Sequence, residues 1–160
     1  MMTRRIVLEI VLIIGITIAL AWLVLGVLAL TDSADPVGTL VDQTPRVLFG
    51  LLGIALAVWT LLVIIGAIVL RRRRAAWRIA AHLVSLLVAL AINIGLLTVL
   101  TVATDGGQGG GWGMLVVAIA AGAGIVLAIA GTVAVLLVEL VILRPKTVAD
   151  PAAAPVSAPE

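Results

Sequence analysis

Three ionisable residues interrupt otherwise apolar stretches of this 160-residue chain: Glu9, His82 and Glu139. Glu9 and His82 each follow an arginine by four residues, and Glu139 precedes one by five. Because a helix rises about 1.5 Å per residue, this spacing places all three side chains in one shallow layer near the same membrane face. An ionisable group inside a membrane span is costly, so each is a candidate functional residue.

If these three side chains converge, they form a Glu–His–Glu cluster. Such a cluster could relay protons, because histidine changes charge near neutral pH, or it could bind a divalent metal through imidazole and carboxylate ligands. In the alternative, each group reaches the membrane interface and pairs locally with its neighbouring arginine. The sequence contains no established ligand motif, so we predict neither a resident metal nor a cofactor.

Asn93 lies near the centre of the apolar stretch that also contains His82. Its amide has no nearby route to water, so it must find hydrogen-bond partners inside the protein. We predict that Asn93 makes a buried polar contact to another helix, with a substrate or ion contact as the alternative.

The chain offers few means of catalysis. It has no cysteine, which excludes thiolate nucleophiles and iron–sulfur clusters. It has a single histidine and no aspartate at the depth of that histidine, so a Ser–His–Asp triad is not available. We therefore predict that the protein is not an enzyme.

The elements that would position these residues are membrane-spanning helices. Hydrophobic residues make up 64% of the chain and charged residues 11%, whereas soluble domains are about half apolar and about a quarter charged. Each of four apolar runs exceeds the roughly 20 residues needed to cross a bilayer. The runs cover residues 6–30, 47–70, 79–103 and 114–143.

These runs predict an all-α integral membrane protein, with four transmembrane helices in an up-down bundle of two helical hairpins. The transmembrane domain covers residues 1–146, and residues 31–46 form a polar connector between the first two spans. The remaining residues, 147–160, are rich in proline and alanine, and we predict a disordered cytoplasmic tail.

The distribution of basic residues predicts the orientation. With four spans, nine of the ten lysines and arginines fall on one side, and only Arg46 falls on the other. Basic residues in short loops mark the cytoplasmic side, so both termini should be cytoplasmic. The composition, rich in Ala, Val, Leu and Arg and poor in Lys, is typical of high-GC bacteria and indicates a bacterial plasma membrane.

The central cytoplasmic loop is strongly basic. We predict that its arginines hold the loop inside and attract anionic lipid headgroups, at about 1 kcal/mol for each residue near the surface. Nucleic-acid binding is not expected, because no aromatic platform accompanies the basic residues. The arginines concerned are Arg71, Arg72, Arg73, Arg74 and Arg78.

Small residues recur at four-residue spacing in the last span, at Ala120, Gly124 and Ala128. In lipid, helices associate through close packing of such faces rather than through a hydrophobic driving force. We predict a packing seam here, used either within the chain or with another molecule.

These features favour a non-catalytic accessory, scaffold or modulator subunit of a membrane complex, because the helices carry packing faces but few residues that could form a pathway. The expected partners are the lipid bilayer, a second copy of the chain or a larger membrane complex. The alternative is a small proton- or cation-coupled transporter or channel that uses the layer of Glu9, His82 and Glu139.

Overall fold

A computed structural model describes residues 2–31, 34–70, 73–104 and 111–142. Over these residues the chain is all-helical, without strands. It forms helix α1 (Met2–Leu30), the largely π-helical α2 (Pro36–Leu51), α3 (Gly53–Val69), α4 (Ala75–Thr104) and α5 (Gly111–Leu137), which continues as a π-helical turn (Val138–Ile142). The predicted tail, 147–160, lies outside the described residues.

Three single helices are long and apolar enough to cross a membrane, over Ile6–Leu30, Ala75–Thr104 and Gly113–Ile142. A fourth crossing exists if the bent pair α2 and α3 is counted as one span. The structure thus contains three or four helical segments able to span a membrane, in the places where the hydropathy pattern predicts them.

The second predicted span, 47–70, is not one straight helix. The chain bends by 62° between α2 and α3, and Leu52 at the break has φ −109° and ψ 6°. Gly50 and Gly53 flank the break, and glycine is the weakest helix former after proline. α3 by itself has 17 residues, which is about 26 Å at 1.5 Å per residue.

The polar connector predicted over residues 31–46 is also largely helical, because α2 begins at Pro36. Proline at the first helical position needs no N–H partner, and the side chain of Asp35 caps the helix by accepting a hydrogen bond from Gly38 N at 3.1 Å. α2 then packs along α1, where Trp22 Nε1 donates to Leu40 O at 3.2 Å.

The helices enclose one apolar core. α5 packs against α1 and α4, while α3 packs against α4 and α1. Fully buried side chains fill the space between them: Ile13, Trp59, Val63, Leu86, Leu127 and Val135.

The small residues of α5 lie within this packing. Ala120 and Gly124 are buried and Ala128 is half-buried, so most of the predicted seam faces the chain's own interior. A Cβ atom added at Gly124 would lie 3.4 Å from Leu90 on α4. At Gly131, two turns further on, an added Cβ would lie 2.6 Å from Leu86 Cδ2 and 3.2 Å from Trp59.

Gly131→Val should therefore destabilise the protein by about 1–3 kcal/mol, the usual cost of overpacking a filled core. Gly122→Val is the matched control on the same helix, because an added Cβ there meets nothing within 4 Å. Unfolding by denaturing detergent measures both variants. Equal stability of the two would contradict the close approach at Gly131.

Candidate functional site

Four ionisable side chains meet where the first turns of α1 and α4 lie beside the end of α5. They are Glu9 from α1, Arg78 and His82 from α4, and Glu139 from the π-helical turn of α5. We call these four residues the ionic cluster. All are buried, with side-chain exposures between 1% and 8%. The structure thus brings together Glu9, His82 and Glu139, and adds an arginine to them.

Arg78 joins three helices through its guanidinium group. Its Nη2 lies 2.9 Å from Glu9 Oε2 and 2.5 Å from Glu139 Oε1, and its Nε donates to the same Glu139 oxygen at 3.0 Å. A planar guanidinium with several donors suits this arrangement, because it can contact two carboxylates at once.

Arg78 was predicted, with the rest of the basic loop, to face lipid headgroups, and its burial here differs from that interpretation. Residues four apart lie on the same face of a helix, so Arg78 shares the inward face of His82. Arg73 and Arg74 are exposed, as headgroup contacts would require. Arg71 and Arg72 lie outside the described residues.

His82 is the least connected member of the cluster. Its Nε2 lies 3.5 Å from Glu9 Oε1, and neither ring nitrogen nor that oxygen has a hydrogen-bond partner among the described residues. The imidazole fits beside Gly66 of α3, where an added Cβ would lie 3.3 Å from its Cε1. The backbone is well held, because the His82 carbonyl accepts bonds from Trp59 Nε1 at 3.2 Å and Ser85 Oγ at 2.8 Å.

The cluster carries an excess negative charge when His82 is neutral, since two carboxylates face one guanidinium. One ligand atom from each of Glu9, His82 and Glu139 lies within 4.8 Å of the others, a spacing that a metal ion could bridge. However, Arg78 already contacts both carboxylates, and a divalent ion at this position would lie beside its positive charge. The donor set therefore suits charge pairing and proton binding better than metal binding.

Asn93 forms a second buried polar contact, eleven residues after His82 and so roughly 16 Å further along α4 at 1.5 Å per residue. Its Nδ2 donates to Leu51 O at 3.0 Å, and its Oδ1 accepts from Ala55 N at 3.2 Å. These backbone groups belong to the end of α2 and the start of α3. Asn93 thus bridges the break, where backbone groups lack partners within their own helix.

Two features of the site were missed by the sequence analysis: the inward position of Arg78 and the break that Asn93 bridges. Weak signals for both exist in the sequence. Arg78 precedes His82 by one helical turn, and the glycines Gly50 and Gly53 lie three residues apart inside an apolar run.

Comparison of the chain with protein-family models, curated proteins and solved structures found no significant match. Fold and site together define a class of protein rather than a family: a helical chain able to span a membrane, with a buried ionic cluster at one end of its core.

Replacing Arg78 should be strongly destabilising. Arg78→Met leaves two buried carboxylates without their guanidinium, and breaking a buried ion pair in this way costs about 3–5 kcal/mol. Arg74→Met is the matched control, since Arg74 is exposed and immediately precedes the same helix. The free energy of unfolding in detergent measures both. A loss no larger than that of Arg74→Met would refute the linking role of Arg78.

Proposed function

We propose that this chain is a non-catalytic membrane component that packs against the transmembrane helix of a partner, either a second copy or another subunit of a complex. The observation that carries this proposal is a small-residue face on α1 that the chain itself leaves open. Gly15 and Ala19 lie four residues apart and are both exposed. An added Cβ at Gly15 would meet nothing within 4 Å.

Such a face allows two helices to approach closely, which is what drives helix association in lipid. Other small residues, including Gly124 and Gly131, already serve this purpose between α4 and α5. The exposed pair on α1 is therefore available for an intermolecular contact. Apart from the His82 ring, the buried polar side chains of the described interior contact one another or the backbone, and this favours a structural role over a catalytic one.

For the topology, we propose four crossings in a bacterial plasma membrane, with α2 and α3 together forming the second and both termini in the cytoplasm. The basic residues support this arrangement, nine of ten falling on one side. The ionic cluster also supports it, because contacts between the starts of α1 and α4 and the end of α5 require α5 to run opposite to the other two. We further propose that exposed Arg73 and Arg74 contact anionic headgroups at that face.

The absence of cysteine from the chain allows a direct test of topology. In intact cells, a membrane-impermeant maleimide should label Gly109→Cys, between α4 and α5, but should label Ser157→Cys only after permeabilisation. The physical reason is that four crossings place these positions on opposite sides. Labelling of Ser157→Cys in intact cells would contradict the proposed orientation.

The partner contact can be tested by filling the open face. Gly15→Leu should reduce the complex recovered after cross-linking in native membranes by about tenfold, the factor that corresponds to 1.4 kcal/mol. Gly95→Leu fills the comparable open pair of Ala91 and Gly95 on α4, so loss of the complex in that variant alone would assign the contact to α4 instead of α1. Native mass spectrometry of the recovered complex distinguishes a second copy from another subunit. If both variants retain the complex equally, α1 is not the contact helix.

A small proton- or cation-coupled transporter is the second candidate function. It is favoured by one observation, the unpartnered atoms of Glu9 and His82 in the buried cluster. Since that function requires the cluster to bind and release the coupling ion, a cluster that binds none would exclude it.

A further inference from the structure

The ionic cluster contains charges that do not balance. With both carboxyl groups ionised, Glu9 and Glu139 contribute two negative charges, and Arg78 contributes one positive charge. Each of these side chains is at most 8% exposed, so water contributes little to stabilising the remaining charge. A buried charge without a partner is costly in an apolar interior, so the cluster should take up one more positive charge.

The atoms without hydrogen-bond partners indicate where an additional positive charge would bind. Glu9 Oε1 faces His82 Nε2 at 3.5 Å, and both atoms are buried and unpartnered among the described residues. The other Glu9 oxygen, Oε2, already accepts from Arg78 at 2.9 Å. A buried carboxylate oxygen without a partner thus faces the imidazole.

Among the described residues, the four members of the ionic cluster are the ionisable side chains that face this position. α1 contributes Glu9, α4 contributes Arg78 and His82, and α5 contributes Glu139. α3, the remaining helix against the imidazole, has no charged residue in Gly53–Val69 and presents Gly66 to the ring. Over the part of the chain that the structure describes, the charge of the site is thus set by these four side chains.

We propose that His82 and Glu9 form a binding site for a single proton, and that the occupied site is the neutral state of the cluster. A hydronium ion of the aqueous phase transfers its proton to the free lone pair of the imidazole and becomes water, and the resulting N–H donates to Glu9 Oε1. One O–H bond breaks and one N–H bond forms, with no change of oxidation state. The cluster then contains two anions and two cations.

The net charge of the ionic cluster also indicates which kind of cation it binds. One proton brings the net charge from −1 to zero, whereas a divalent metal would bring it to +1 beside the Arg78 guanidinium. A monovalent metal ion would match the charge, but alkali cations prefer oxygen ligands to imidazole nitrogen. The proton is the cation that satisfies both the charge and the nitrogen atom.

This inference goes beyond the accessory role and does not depend on it, because the proton site lies within one chain while the accessory role requires the open face of α1. Failure of either can therefore be recognised separately. One is measured by the protonation of His82 in the isolated protein, and the other by recovery of a complex from membranes.

His82 is the only histidine in the chain, so labelling histidine with ¹⁵N gives imidazole signals from this site alone. We suggest ¹⁵N NMR of the full chain in lipid nanodiscs at pH 7.5, with chelator present. An ordinary histidine, which titrates near pH 6.5, is about nine-tenths neutral under these conditions. The proposal predicts that His82 is instead mostly imidazolium, with both ring nitrogens protonated. A mostly neutral ring in the wild-type protein would overturn the proposal without the need for any variant.

Variants that each remove one negative charge test whether the cluster binds a single proton. Glu9→Gln and Glu139→Gln each remove one negative charge, so each should convert His82 at pH 7.5 from mostly imidazolium to mostly neutral. Two independent variants guard against one that fails to fold. The control is Asp42→Asn, which removes an exposed acid from α2 and should leave the imidazolium in place. Retention of the imidazolium in folded Glu9→Gln would overturn the proposal, as would a chelator-sensitive ring signal restored by Zn²⁺, which would indicate a divalent metal site.

Discussion

The ion pairs of the buried Arg78 guanidinium with Glu9 and Glu139 hold together the helices at one end of the molecule. Burial of a single ion costs several kcal/mol even after the protein relaxes, so a lone arginine at this position would not be tolerated. Its contacts with Glu9 and Glu139 offset that cost only while α1, α4 and α5 remain together. The three helix ends are thereby held in one relative rotation, since a turn of any of them would separate a buried charge from its partner.

A second polar contact holds the core further along the same helix. Asn93 satisfies backbone groups on both sides of the break between α2 and α3. In a bilayer no water is available for such groups, so the bend between α2 and α3 depends on a side chain from a neighbouring helix. α4 therefore carries both polar contacts, one at the cluster and one at the break, and its packing against α3 and α5 positions each.

Between the ionic cluster and the Asn93 contact, the apolar packing depends on two glycines and one tryptophan. Trp59 fills the space between α3 and α4, and its Nε1 also donates a hydrogen bond to the backbone carbonyl of His82. Gly131 and Gly66 leave room for Trp59 and for the imidazole ring respectively. The position of His82 thus depends on the core as much as on the charges. Among the described residues, the buried ring has Glu9 Oε1 at 3.5 Å and no hydrogen-bond partner.

The sequence alone determined the all-helical character of the protein and the positions of three helices that are long and apolar enough to span a membrane, because hydropathy and helical rise are local properties. It also placed Glu9, His82 and Glu139 in a common layer, since their distances from the basic ends of the spans are similar. Only the tertiary structure decided that Arg78 faces inward, that the second span breaks at Leu52, and that most of the seam on α5 is used within the chain. Each of these depends on how a helix is rotated about its axis and on which neighbour it meets, and in helices so uniformly apolar the pattern of residues leaves that rotation undetermined.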